Sequence, residues 1–382
     1  MDNQTINEKK EYLSALNIFI TENCNLNCNY CFVNKNYEKT KLDFPSLKNA
    51  IDLFLSYPPQ RKTIAFTGGE PLLEYSLLKK TFLYAKEKAK KQHIYLDIAV
   101  MTNGTLLSKF YAQFLQNNEA IVKISIDGNK TTHDLNRPFK DNPNKSSFEK
   151  IIQNIKNFNL PYEGLAASLV ITPSTIDSFL ENIKFLREKG FSYIEFYPDM
   201  YAFWSKNELK KLKKILKKFS LYYISLFAEH KEELIFKNSL LDSIVNKNEV
   251  VGITAECQKI HLASDGHFYF CDKVFSLPKK EREKYIIGNV TQLINNEKRI
   301  KLLNQVKEKI LKLIKNNCQD CIYREYCFCP VGHYLYFSYK RWDFKKYFIC
   351  NFCQISKIFL ETFWQIKEFL KFNPLFVKIY KY

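Results

Sequence analysis

The chain has 382 residues, of which 46% are hydrophobic, and its formal net charge is +18. This composition is typical of a folded protein with roughly two domains, and it excludes a wholly disordered chain. Most of the basic residues are lysines scattered through helix-like stretches. They favour solvated helix faces over a nucleic-acid surface, where specific contacts prefer arginine, so we do not expect nucleic acid to be the partner.

The cellular context follows from the termini and the cysteines. Residues 1–13 are polar and lack the apolar centre of a secretory signal, and no run of about 18 apolar residues occurs. These features predict a cytoplasmic protein with no membrane span. The 11 cysteines, in a reducing compartment, favour metal binding or catalysis over disulfide bonds.

Short apolar segments alternate with longer amphipathic segments from residue 16 to about residue 230. The former predict β-strands and the latter predict helices. Six such units with right-handed crossovers predict an α/β fold, in which a parallel sheet curls into a partial (β/α)6 TIM-like barrel. The predicted strands are 16–21, 63–67, 95–101, 121–126, 166–172 and 193–197, and the predicted helices are 44–55, 75–91, 105–115, 147–158, 176–189 and 206–228.

Polar motifs follow the first four predicted strands. In parallel barrels the loops after the strands carry the active site, so these motifs predict a site at one end of the barrel. In chain order they are Cys24, Cys28 and Cys31; Thr67-Gly68-Gly69-Glu70-Pro71; Asn103-Gly104; and Ser125 with Asp127 and Gly128.

The first motif, Cys24, Cys28 and Cys31, has the spacing CxxxCxxC. Three thiolates on one loop can hold three irons of a 4Fe-4S cluster and leave the fourth iron open. A structural zinc site takes four protein ligands, and no fourth Cys or His follows nearby. The pattern therefore favours a cluster over zinc.

These motifs resemble the radical SAM superfamily, whose enzymes use S-adenosylmethionine (SAM). The resemblance implies that SAM binds the open iron and is cleaved reductively to a 5′-deoxyadenosyl radical, which abstracts hydrogen from the substrate. It also implies a SAM site that comprises Tyr30, Thr67, Gly68, Gly69, Glu70, Asn103, Ser125 and Asp127. Glu70 is expected at the SAM amino group and the last three at its ribose or carboxylate, although turns or helix caps explain those three equally well.

A further stretch, His133-Asp134-x-x-Arg137, is similar to one found in peptide- and protein-modifying members. Eight more cysteines lie between residues 257 and 353, and with Gly266 they resemble the SPASM extension of such enzymes, which binds auxiliary 4Fe-4S clusters. Two departures are that Val331 stands where the extension expects a cysteine, and that Val251 stands where sulfatase-maturating members have an additional one.

We hypothesise that the eight cysteines form two sets of four, with a zinc-ribbon-like module on CxxC pairs as the alternative. The expected sets are Cys318, Cys321, Cys327 and Cys350, and Cys257, Cys271, Cys329 and Cys353. The predicted domains are a radical SAM core at 14–230, a SPASM-like iron–sulfur domain at 250–355, and an aromatic, basic helical tail at 356–382. The tail is expected either to pack on the barrel or to lie on a membrane surface.

Asp272 directly follows Cys271. In similar sulfatase-maturating enzymes an Asp at this position is a general base, and the alternative is a hydrogen bond that supports the cluster loop. The resemblance predicts radical modification of a residue in a peptide or protein, either as sulfatase-maturase-like oxidation or as ribosomal-peptide maturation, with flavodoxin or ferredoxin as electron donor. Modification of a small molecule or tRNA, and a non-catalytic Fe-S or zinc scaffold, are the alternatives.

Overall fold

The computed structural model describes residues 12–33, 40–159, 162–231, 235–246, 257–324, 326–327, 334–335, 338, 340 and 343–380. Of the residues named above, Val251, Cys329, Val331 and the side chain of Cys350 lie outside this description.

A nine-stranded sheet forms the centre of the molecule, in the order β6-β5-β4-β3-β2-β1-β7-β8-β9. Strands β1 to β6 pair in parallel, which confirms the predicted α/β barrel. The strands are β1 (Ala15–Thr21), β2 (Arg61–Gly68), β3 (Tyr95–Thr102), β4 (Ile121–Ser125), β5 (Leu165–Ile171), β6 (Tyr193–Pro198), β7 (Lys259–Leu262), β8 (His267–Tyr269) and β9 (Ile286–Asn289).

Helices follow the barrel strands at the predicted positions, and a further helix, α4, lies in the loop after β4. The helices are α1 (Phe44–Ser56), α2 (Tyr75–Lys91), α3 (Lys109–Asn117), α4 (Lys130–Asn136), α5 (Ser147–Ile155), α6 (Phe179–Glu188), α7 (Lys206–Ala228), α8 (Ser239–Asn246), α9 (Lys279–Arg282), α10 (Asn296–Leu313), α11 (Lys315–Cys318), α12 (Phe344–Tyr347), α13 (Cys353–Leu370) and α14 (Pro374–Tyr380).

Side-chain alternation and helix caps explain these elements. In β1, Leu16, Ile18 and Ile20 are fully buried, as expected for strand positions that face the covering helices. Side-chain caps begin α1 at Asp43 and α4 at Asn129, close to the ends of the preceding segments. The loops that carry the polar motifs therefore emerge together at the carboxyl edge of the sheet.

Strands β7 to β9 extend the sheet beyond β1 and were not predicted from the sequence. Strand β7 pairs in parallel with β1, and β8 and β9 pair in antiparallel fashion. They are three or four residues long, which is too short for an alternation of apolar and polar residues to be recognised. The part of the chain from residue 257 onward is called the C-terminal extension below. Ile260, Leu262 and Phe268 of this extension are fully buried, so it shares the hydrophobic core of the barrel.

The C-terminal tail packs against the barrel, which is one of the two arrangements expected from the sequence. The ring of Phe363 in α13 stacks on Phe196 of β6 at a centroid distance of 5.7 Å. The hydroxyl of Tyr380 in α14 lies 2.8 Å from that of Tyr223 in α7. Within the described residues, no helix has the length and apolar character that crossing a membrane requires.

Candidate functional site

The cysteine loop lies directly after β1. Cys24 and Cys28 are partly buried and Cys31 is exposed. The Cys31 backbone N–H donates to the carbonyl of Cys28 at 3.3 Å, and the Leu26 N–H donates to the Cys24 Sγ at 3.4 Å. Burial raises the pKa of Cys24 to about 12, and the neighbouring charges of Glu70, Cys28 and Cys31 add to this effect. A thiol that ionises so reluctantly without a metal suits a site in which iron would stabilise the Cys24 thiolate.

The number of donors separates the expected cluster from a structural zinc site. Structural zinc takes four protein ligands, whereas a 4Fe-4S cluster with an open iron takes three thiolates on separate irons. The loop supplies three cysteines, Cys24, Cys28 and Cys31. Three donors fit the expected cluster better than a closed zinc site, and the cluster stays a prediction.

Gly68 and Gly69 let the end of β2 approach the cysteine loop. The Gly69 N–H donates to the Thr21 carbonyl at 2.9 Å, and the Glu70 N–H donates to the Asn23 carbonyl at 2.7 Å. A Cβ on Gly69 would lie 1.9 Å from the Asn23 oxygen, and one on Gly68 would lie 2.6 Å from the Thr21 oxygen. Both glycines are thus required by the protein's own backbone, which the sequence did not reveal.

Glu70 joins the ends of β2 and β3. It is fully buried, and its carboxylate accepts hydrogen bonds from the Leu72 N–H at 3.0 Å, the Thr102 hydroxyl at 2.7 Å and the Asn103 N–H at 2.7 Å. Burial raises the pKa of Glu70 to about 7, although these three hydrogen bonds oppose the increase. Its contact with the SAM amino group stays a prediction, while its contacts with the protein fix the edge of the site.

Asn103 lies beside the first cysteine. Its Nδ2 is 3.8 Å from the Cys24 Sγ and donates to the Asn25 side-chain oxygen at 2.8 Å. Its Oδ1 accepts from the Thr105 N–H at 3.0 Å and from the Thr105 hydroxyl at 2.7 Å. The Asn103 amide is therefore held in one orientation against Cys24, the first predicted cluster ligand, where a hydrogen bond to sulfur would affect the redox potential.

Asp127 is a fully buried hub of hydrogen bonds. Its Oδ2 accepts from the Tyr30 hydroxyl at 2.5 Å and from the Asn136 side chain at 3.1 Å. Its Oδ1 accepts from Arg137 and from the Val170 N–H, both at 3.0 Å. Both oxygens accept from protein groups, and the expected contact between Asp127 and SAM stays a prediction. The carboxylate ties the cysteine loop to β5.

Charge keeps this hub in one protonation state. Burial acts to raise the pKa of Asp127, but the Arg137 guanidinium outweighs burial and holds that pKa below its usual range. Burial raises the pKa of the Tyr30 hydroxyl well above its usual value. Tyr30 is therefore a neutral donor to an ionised carboxylate, and the Arg137 guanidinium lies 5.1 Å from the centre of the Tyr30 ring.

The stretch His133-Asp134-x-x-Arg137 organises the same region. His133 Nδ1 accepts from the Asp127 N–H at 3.2 Å, and Arg137 pairs with the Asp127 carboxylate. Asp134 accepts from the Phe148 N–H at 3.0 Å, near the start of α5. All three side chains of this motif therefore have partners within the protein.

Strands β4 to β6 carry the predicted Ser125 and a charged pair that sequence reasoning missed. Ser125 of β4 is paired in register with Ser168 of β5. Two positions earlier along β4, the Lys123 Nζ lies 2.6 Å from the Glu195 carboxylate of β6. A charged residue within an otherwise apolar strand was the available signal, because charges are rare in buried strands unless they are paired.

Four of the described cysteines of the second field line a single pocket: Cys318, Cys321, Cys327 and Cys353. The hypothesis from the sequence places Cys353 in the other set and Cys350 in this one, and the side chain of Cys350 lies outside the described residues. Cys353 begins α13, and Ser356, Lys357 and Leu360 on the same helical face also line the pocket. The start of α13 thus brings Cys353 beside the first three cysteines, while the division of the eight cysteines into sets stays a prediction.

Burial and nearby cations shape this pocket. Burial raises the pKa of Cys318 to about 11 and that of Cys327 to about 12, and neighbouring cysteines contribute to both shifts. Arg324 and Lys357 act in the opposite direction on Cys318. Four clustered thiols with adjacent cations suit an anionic cluster that is ligated on all sides.

Asp272 lies at the start of the 3-10 turn Asp272–Ser276. Its carboxylate is 3.2 Å from Lys273 Nζ. Burial acts to raise its pKa, but Lys273 and His261 outweigh burial and hold the pKa of Asp272 at about 2. The group is thus ionised and can accept a proton, but a carboxylate with so low a pKa is a weak base. Among the described residues, neither Cys271 nor Cys257 belongs to the pocket around Cys318.

Comparisons with known proteins agree with this geometry. The radical SAM superfamily model matches residues 18–197. An uncharacterized protein of Methanocaldococcus jannaschii is 32% identical over an alignment of 228 residues that covers 58% of this chain and 77% of that protein. A cysteine-type anaerobic sulfatase-maturating enzyme of Clostridium perfringens is 26% identical over an alignment of 331 residues that covers 78% of this chain and 86% of that enzyme.

A solved structure has the same fold. Native anSMEcpe with bound AdoMet and Cp18Cys peptide superposes with a TM-score of 0.68 at 24% identity, over 93% of this chain and 99% of that chain. Because the superposition extends past the barrel, the fold of the C-terminal extension is included in the similarity.

Proposed function

We propose that this chain, which belongs to the radical SAM superfamily, modifies a residue of a peptide or protein substrate. The observation that carries this proposal is the length of the match to the sulfatase-maturating enzyme. It spans 331 residues and therefore extends beyond the superfamily match at 18–197 into the second cysteine field. The bound peptide in the similar anSMEcpe structure supports the same class of substrate.

Radical SAM enzymes use a 4Fe-4S cluster and SAM, which when bound supply a radical that abstracts hydrogen. In this chain Cys24, Cys28 and Cys31 would hold the cluster. Asn103 would orient a hydrogen bond toward Cys24, and Gly69 would keep the end of β2 against the loop. These residues position the chemistry, and the curled sheet shields it from water.

We propose Asp272 as the base that takes a proton from the substrate residue. Asp272→Asn is expected to abolish the modified product while 5′-deoxyadenosine still forms. Asp177→Asn, at a carboxylate whose side chain is 74% exposed, is the matched control and should change neither readout. If Asp272→Asn forms the full amount of product, Asp272 is not the base, and its carboxylate then serves to support the cluster loop.

The second cysteine field is proposed to hold two auxiliary clusters. The pocket supports Cys318, Cys321, Cys327 and Cys353 as one set. Cys257, Cys271, Cys329 and Cys350 would then form the other. Iron and sulfide assays on protein reconstituted without oxygen are expected to approach ~12 irons per chain, four for each cluster. A plateau near ~4 would remove both auxiliary clusters from the proposal.

We propose that the core at 14–230, the auxiliary domain at 250–355 and the tail at 356–382 differ in function and are not separately folded domains. The sheet is continuous across the first two, because β7 pairs with β1. We further propose that the enzyme works in the cytoplasm and receives electrons from flavodoxin or ferredoxin.

The decisive experiment supplies SAM, dithionite and the Cp18Cys peptide to the reconstituted enzyme under anaerobic conditions. We expect 5′-deoxyadenosine and a change in the peptide mass. Peptides in which serine replaces the cysteine would establish the preferred residue. Absence of 5′-deoxyadenosine would favour a non-catalytic scaffold. In a parallel reaction with tRNA, modification of the tRNA but not of the peptide would exclude peptide modification as the function.

A further inference from the structure

A buried ion pair connects the cysteine loop to the C-terminal extension. Glu22 lies at the start of the loop, and Arg282 lies at the end of α9. Two nitrogens of the guanidinium face the carboxylate at distances of 3.2 to 3.3 Å. The two side chains are only 2% and 3% exposed, so the pair is enclosed by protein.

The surroundings of the pair are built from the extension. Asp265, in the turn between β7 and β8, lies 3.5 Å from Arg282. The guanidinium also lies over the rings of Phe275 and Tyr269, at 5.2 Å and 5.8 Å from their centres. These contacts, all made within the extension, orient the Arg282 guanidinium toward Glu22 of the loop.

The location of Glu22 gives the pair its significance. Glu22 is two residues before Cys24, and the intervening Asn23 accepts a hydrogen bond from the Glu70 N–H. Arg282, the other member of the pair, ends α9, and only the turn Asp272–Ser276 and this helix separate it from Cys271. A second contact joins the same two segments, because Lys273 lies 4.0 Å from the centre of the Phe32 ring.

We propose that Arg282 is a positioning residue for the first cluster, so that the loop carrying Cys24, Cys28 and Cys31 depends on the C-terminal extension for its geometry. The barrel fixes the loop through Asn103 and Asp127, and Arg282 fixes the opposite side. The same residue sets the distance between the loop and the segment of Cys271 and Asp272. This inference rests on family membership and holds whether the substrate is a peptide or another molecule.

The physical reason is the cost of an unpaired buried charge. Without Arg282, the buried Glu22 carboxylate loses its cation and has to reach water, which displaces the chain just before Cys24. Groups that orient metal ligands in this way typically change metal retention by 10- to 100-fold.

The test compares Arg282→Gln with Arg61→Gln in reconstituted full-length protein. SAM changes the EPR spectrum of only the cluster that it binds, so the SAM-dependent part of the spectrum after dithionite reduction reports the loop. We expect Arg282→Gln to lose iron from this cluster to a chelator ~10-fold faster and to lose most of the SAM-dependent signal. Arg61→Gln, at a side chain that is 77% exposed, should match the wild type.

Two further variants keep the proposal open to refutation. Arg282→Lys retains the charge without the fork and should recover part of the signal. If Arg282→Gln does not fold, the double variant Glu22→Gln with Arg282→Gln removes both buried charges and is expected to fold with a weakened loop cluster. Wild-type iron retention in folded Arg282→Gln, or in the double variant, would overturn the proposal. Equal iron loss from all clusters would overturn it as well.

Discussion

The cysteine loop after β1 and the cysteine pocket at the start of α13 organise thiols in different ways. The loop supplies Cys24, Cys28 and Cys31 from one short stretch, and polar contacts from the ends of neighbouring strands hold it. The pocket gathers four cysteines from separate segments and closes them beneath a helix face. Three donors with one exposed thiol leave room for a further ligand, whereas four donors do not.

This difference parallels a general distinction among metal sites. Structural sites are closed by protein ligands, and catalytic sites keep a position for a substrate or cofactor. The loop therefore fits the reactive cluster, and the pocket fits a cluster that stabilises the extension or passes electrons.

The largest effect is expected at the loop. Cys24→Ala removes one of three donors, so we expect 5′-deoxyadenosine formation to fall to background while the extension keeps its iron. Single-turnover assays with SAM and dithionite, combined with iron analysis, measure both quantities. Appreciable SAM cleavage by this variant would show that the loop does not hold the reactive cluster.

A pocket cysteine should give the opposite pattern. Cys353→Ser is expected to lower the iron content by ~4 per chain and to lower the thermal unfolding midpoint, yet to retain SAM cleavage. Differential scanning fluorimetry under argon and iron assays provide the readouts. If SAM cleavage disappears together with the pocket iron, the two regions are not functionally separate.

Much of the fold could be predicted from the sequence because strands β1 to β6 are apolar runs of five to eight residues. Strands of three or four residues, such as β8, carry too little pattern to be recognised, and their pairing in the sheet and their burial in the shared core stabilise them. Tertiary context therefore determined the extension.

The site could be predicted as residue types but not as roles. Asp127 stands at a strand end, where a cofactor contact was expected, yet its oxygens are already occupied by protein donors. Gly69 was expected to admit a ligand, and it admits Asn23 instead. Whether a polar atom is free depends on partners distant in sequence, and no local motif encodes them.

The glycine contact gives a smaller, graded test of how the loop is held. Gly69→Ala places a Cβ 1.9 Å from the Asn23 oxygen, so the loop has to shift, and we expect ~10-fold faster iron loss to a chelator from the SAM-binding cluster. Gly266→Ala is the control for a strained glycine substitution away from the loop, because a Cβ there meets its nearest atom at 3.6 Å and its φ is +83°. Equal iron loss in the two variants would show that the contact between residue 69 and Asn23 is not its cause.

The smallest effect concerns acid stability on the barrel side of the loop. Burial lowers the pKa of His133 to about 4, whereas an unfolded histidine titrates near ~6.5. The unfolded chain therefore binds a proton first as the pH falls, so stability is complete above pH ~6.5 and declines by up to ~3 kcal/mol by pH ~4. The protonated ring also loses its role as acceptor from the Asp127 N–H.

His133→Gln is expected to flatten this part of the stability profile, because glutamine can accept the same hydrogen bond without titrating. Urea unfolding of the apoprotein between pH ~4 and ~7 measures the slope. His93→Gln, at an exposed histidine after α2, is the control and should leave the slope unchanged. If His133→Gln follows the wild-type profile, the barrel-side anchor of Tyr30 and Asp127 does not depend on a neutral histidine, and other groups account for the acid sensitivity.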